Sequence, residues 1–89
     1  MERANNNFGL RGSTIKTTGI IIPIDWDEHG NPVTIVLSTY DEHEYLIDER
    51  QGRGKELHQL LQQKIKVAGV LGSMIENRRT IMIKSYVLL

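Results

Sequence analysis

Residues 64–73 read Lys-Ile-Lys-Val-Ala-Gly-Val-Leu-Gly-Ser, and no other run constrains the fold as tightly. Ile65 and Val67 alternate with Lys64 and Lys66, the period of two expected of a half-buried strand. Two glycines, Gly69 and Gly72, sit three apart in the same run. A GxxG clamp on nucleic acid joins two helices, whereas these glycines lie in and just after a β-patterned segment. Gly69 therefore reads as the point where a strand bends, as closure of a small barrel demands. On this reading Ile65 and Val67 point inward, Lys66 points outward, Lys64 closes a preceding helix and Gly72 begins the next loop.

The rest of the chain supplies the partners for such a strand. Residues 1–13 read as a flexible N-terminal tail, with three consecutive asparagines and no periodicity. Residues 14–89 read as one domain. In TIKTTGIIIPIDWD, Ile20, Ile22, Ile24 and Trp26 share one face at period two, predicting a long strand. Gly19 within it suggests a bulge or bend, and Pro23 places part of it at an edge. DEHGNP supplies a hairpin turn, VTIVLSTY the returning strand, and EYLIDE a short third strand. Leu57, Leu60 and Leu61 then give one apolar face to a helix of about three turns, starting near Lys55. Two further strands, IKVAGVLG and RTIMIKSYVL, are joined by the polar loop SMIENR.

Three strands, a short helix and a closing pair resemble the OB-fold, a mainly β, five-stranded Greek-key barrel with its helix between strands 3 and 4. Three details carry the resemblance: the long glycine-bent first strand, the short amphipathic helix, and Val67-x-Gly69-Val70 followed by Ile81-x-Ile83. Small stand-alone bacterial OB-fold domains look like this. The resemblance is one of architecture and transfers no catalytic residue. Another five-stranded barrel, the SH3-like one, has a similar make-up.

Composition narrows the function classes. The 89 residues contain no cysteine, so neither a disulfide framework nor a thiolate site exists. No apolar run approaches a membrane span, and the first residues lack the apolar core of a signal peptide. The default compartment is cytoplasmic, and a mature secreted or periplasmic form fits as well. The net charge is zero, but it hides a division. Residues 25–49 hold eight of the 11 acids and no lysine or arginine, while residues 50–89 hold eight of the 11 basic residues and only Glu56 and Glu76.

Several motifs look chemical and read better as structure. DWDEHG begins like a calcium loop but has His29 and Val36 where oxygen ligands are needed. The tripeptide DEH occurs at 27–29 and again at 41–43, at opposite ends of one strand and so roughly 25 Å apart. QGRGKE lacks the phosphate-loop spacing and has Glu56 where a hydroxyl should be. Serine and threonine hydroxyls have no His–acid arrangement beside them. No catalytic residue, metal site or cofactor is expected.

Binding is what these exclusions leave. OB domains take oligonucleotides on strands 2 and 3, where this chain puts its carboxylates. The leading expectation is a non-enzymatic module for a protein partner or for self-association. The alternative is single-stranded nucleic-acid binding by the basic late half, through Lys66, Arg78, Arg79, Lys84, Tyr86 and Tyr40.

Overall fold

The computed structural model describes residues 11–89; residues 1–10 of the expected tail lie outside them. Five strands, β1 (Thr14–Trp26), β2 (Pro32–Thr39), β3 (Glu44–Ile47), β4 (Lys64–Ile75) and β5 (Arg78–Leu88), form a closed barrel in the order β1-β2-β3-β5-β4. A 3-10 helix, Gly54–Leu60, lies between β3 and β4. All pairs are antiparallel except β3 with β5. This is an OB-like architecture.

The long first strand is what closes the barrel. Its first half, Thr14–Ile20, pairs with β4, and its second, Gly19–Trp26, pairs with β2. Gly19 belongs to both registers, opposite Ile65 on one side and Thr39 on the other. A Cβ there would run into the Ser38 carbonyl oxygen, so the crossover needs glycine. Pro23 lies beyond the β4 pairing, where a missing donor costs no ladder bond on that side. The bulge itself falls later, at Ile24, between the Pro23 and Asp25 pairs. The phase of the strand also differs from the simple period-two reading. Ile21 is the core residue, while Ile20, Ile22 and Ile24 are only half-buried and Trp26 is exposed.

β4 and β5 alternate as expected. Ile65, Val67, Leu71, Ile81 and Ile83 are buried together with Ile21, Ile35, Leu37, Tyr45, Ile47 and Leu57 in one core cluster. Each fully buried aliphatic side chain contributes roughly 1.5–3 kcal/mol relative to exposure. Gly69 sits at a bulge in which Lys84 of β5 is the unpaired residue. A Cβ on Gly69 would stand 2.5 Å from the Met82 carbonyl oxygen, too close for any side chain.

Three local expectations need correction. Gly72 does not begin a loop: it lies inside β4, at a second bulge between Leu71 and Met74. The segment SMIENR is no loop either. β4 continues to Ile75 and turns through Glu76 and Asn77, whose φ angles of 50° and 70° are those of a tight two-residue hairpin. The three-turn helix is a seven-residue 3-10 helix, and Lys64 starts β4 instead of ending it. Gln62, at φ 66°, turns the chain out of the helix, and its N–H donates to the Ile21 carbonyl at 2.7 Å. Leu57, fully buried, is the side chain this short helix puts into the core.

Candidate binding surfaces

The two turns singled out as metal-like are closed by their own carboxylates. Asp27 accepts from the backbone N–H groups of His29 and Asn31, both at 2.9 Å, and these bonds, Asn31 first, hold its pKa below the ordinary value. Asp41 accepts from the Thr39 hydroxyl and lies 3.1 Å from His43 Nδ1, which lowers its pKa in the same way. The His43 ring stacks on Tyr45 with centroids 5.7 Å apart. These are turn-locking bonds. Among the described residues no group of three or more His, Asp or Glu side chains is placed to hold a metal ion.

Apart from Arg11 and Lys55, the described basic residues separate into two populations. Arg50 pairs with Asp48 at 3.6 Å, and Arg78 holds Glu44 at 2.9 Å. Arg79 donates to the Gly72 carbonyl at 2.9 Å, strapping the second β4 bulge beside a Thr80 hydroxyl that donates to Ser73. Arg53 grips Glu56 through Nε and Nη2, at 3.1 and 2.8 Å, and lies over the Tyr86 ring at 4.8 Å. Tyr86 Oη donates to the same carboxylate at 2.8 Å. Arg53 and then Tyr86 hold the Glu56 pKa below its ordinary value, and the bond to Glu56 pushes the Tyr86 hydroxyl up. This knot ties the 3-10 helix to β5. Arg78, Arg79 and Tyr86, expected at a nucleic-acid surface, thus all have partners within the fold.

The lysines differ. Lys16, Lys64, Lys66 and Lys84 are exposed, and none forms an ion pair among the described residues. In register Lys64 lies opposite Ile20, Lys66 between Thr18 and Val87, and Lys16 opposite Ala68. Because Ile65 and Val67 point inward, all of these positions belong to the outer face of β1, β4 and β5. Tyr40, 71% exposed, meets Lys64 Nζ 4.9 Å from its ring centroid. The structure therefore joins Lys66, Lys84 and Tyr40 to Lys16 and Lys64, which sequence reasoning did not select. The signal available was the in-phase alternation of Lys16 with Ile15, but only the β1–β4 pairing shows that it meets Lys66.

The opposite outer face, on β2 and β3, has another character. Val36 is fully buried yet out of phase with the core residues Ile35 and Leu37, and lies between Ile22 and Leu46 in register. The β4–β5 hairpin tip reaches over this apolar strip. Ile75, with Leu46 and Thr34, lines two contiguous grooves of about 290 and 260 Å³. Charged residues surround them: Asp25, Glu76 and Arg78 at the first, Asp48, Glu49 and Arg50 at the second. Glu49 is held by His58 Nε2 at 2.6 Å. No helix among the described residues is long and apolar enough to cross a membrane. Comparison with protein-family models, with curated proteins and with solved structures found no match for the chain.

Proposed function

We propose that this chain is a non-enzymatic binding module that takes an extended segment of a protein partner on the outer face of β2 and β3. The observation that carries this reading is the pair of grooves floored by Leu46 and Ile75 and rimmed by Asp25, Glu76, Asp48 and Glu49, with Arg78 and Arg50 among them. An apolar centre with a polar rim is the usual anatomy of a protein interface. Each groove, of about 290 or 260 Å³, has room for a single side chain, and the two in line suit an extended peptide. Four carboxylates against Arg50 and Arg78 leave the rim net acidic, so it selects the occupant by charge. Phosphates are repelled by carboxylates, whereas lysine or arginine beside aliphatic residues satisfies both rim and floor.

Selection of a random peptide library against the purified domain tests this. The expected outcome is a consensus in which basic and aliphatic residues alternate, lost when Leu46→Glu is used as bait. Leu46 lies on the outer face, so this change spares the core. Recovery of no consensus, or of the same one by the variant, overturns the reading.

A further inference from the structure

We propose that the outer face of β1, β4 and β5, built on Lys16, Lys64, Lys66 and Lys84 with Tyr40 at its margin, binds single-stranded nucleic acid. This is a second surface, on the other side of the barrel from the acid-rimmed strip, and it stands independently of it.

Geometry supplies the first part of the case. Lys64 and Lys66 are two residues apart on one strand face, about 7 Å. Lys16 and Lys66 are diagonal neighbours across the β1–β4 pair, about 7–8 Å apart. Lys84 enters from the other side of β4, turned out at the bulge opposite Ala68 and Gly69. Four ammonium groups from three adjacent strands thus share one surface. Residues 14–20, 64–75 and 78–88 contain no aspartate or glutamate, so nothing on these strands neutralises them.

The contrast with arginine supplies the second part. Arg53, Arg78 and Arg79 are each held by a carboxylate or a carbonyl of the fold, and Arg50 lies exposed 3.6 Å from Asp48. The four lysines, without an ion pair among the described residues, make a positive field that raises the local concentration of a polyanion. Lysine is a mobile point charge without the fork that reads base edges, so the contacts fall on phosphates and are indifferent to sequence. Sequence-tolerant single-strand binders add aromatic platforms to such a field. Tyr40 provides one, since Lys64 covers one side of an otherwise exposed ring.

Fluorescence anisotropy with a labelled oligothymidine, measured across a salt series, tests the proposal. Binding should weaken with salt at a log–log slope of about −3, the value for four phosphate contacts on a single strand. The variant Lys16→Glu with Lys66→Glu should remove at least half of that slope. Tyr40→Ala should weaken binding by about fivefold or more, and Leu46→Glu should leave it unchanged. Lys16, Tyr40 and Lys66 are exposed and Leu46 is half-buried outside the core, and circular dichroism confirms folding of each variant. Absence of binding at low salt overturns the proposal, as does binding that survives the double charge reversal or an equal affinity for duplex of the same length. Light scattering supplies the remaining arm. Salt-sensitive self-association abolished by the same double variant, without oligonucleotide binding, would give the face to a second copy of the chain and overturn it too.

Discussion

The two outer faces of this barrel share β1 and handle charge in opposite ways. On the β2–β3 side, carboxylates and arginines meet: Glu44 with Arg78, Asp48 with Arg50. On the β1–β4–β5 side, four lysines stand exposed without an acid on their strands. A net charge of zero is therefore the balance of an acid-rich stretch, residues 25–49, in which only Glu44 and Asp48 of eight acids pair with arginine, and a frankly positive outer face. Counting charges along the chain separates acidic from basic stretches. Only the strand pairing shows which charges are already spent inside the fold.

The most severe way to break the comparison is to remove the scaffold that both faces use. Gly69→Val should lower stability by about 3 kcal/mol, because its side chain would meet the Met82 carbonyl oxygen and Ile81. Urea denaturation would show the loss as a lower midpoint. An unchanged midpoint would mean that β4 and β5 can part at the bulge. Next in size, Leu46→Glu should weaken a selected basic–aliphatic peptide by about tenfold or more, as loss of a central interface anchor does. Isothermal titration would measure this, and no change would detach the strip from binding.

Smaller effects separate the two charge populations directly. Arg78→Gln should cost about 0.5 kcal/mol at low salt, a typical value for one partly exposed ion pair. Lys66→Gln should cost nothing or raise stability slightly, since it relieves repulsion among lysines. In 1 M salt, where the screening length is about 3 Å, the difference between them should close. A thermal melt series of both variants in low and high salt reads it; equal losses would mean that Lys66 has a partner too. The smallest effect concerns the Arg53–Glu56–Tyr86 knot. Glu56 has a folded pKa below its unfolded one, so its contribution is present above the unfolded value and lost as pH falls through the folded one. Wild type should therefore lose stability in that acidic window by slightly more than Glu56→Gln does. Parallel acid-denaturation curves would remove this role.

Where the outline was readable from sequence, the cause was local. Ile65, Val67, Ile81 and Ile83 alternate cleanly because their strands have one buried face, and Gly69 lacks a side chain where the sheet bends. Where reading failed, non-local pairing had overridden local preference. Leu57, Leu60 and Leu61 carry a helical period, yet β4 claims Lys64 by pairing it with Ile20, leaving room for two 3-10 turns. The Glu76–Asn77 turn adopts positive φ without the Asn-Gly signature that would announce it. The two candidate surfaces depend on the same long-range pairing. Lys16 meets Lys66 across the β1–β4 register, and Arg78 is drawn to Glu44 over 34 residues. Neither neighbour is visible from spacing.

The parallel join between β3 and β5 is only two residue pairs long, Leu46 with Thr80 and Ile47 with Ile81. It is the shortest seam of the barrel, beside a β1–β2 pairing of seven. Closed barrels expose no sheet edge, so transient parting here is the event that would create one. Amide protons of Leu46 and Ile47 should then exchange by local opening well before those of Ile21 or Val67. The strand that floors the acid-rimmed grooves thus also carries the shortest seam of the barrel: a peptide lying across β3 would staple that join, and its affinity would register as slower breathing of the whole wall.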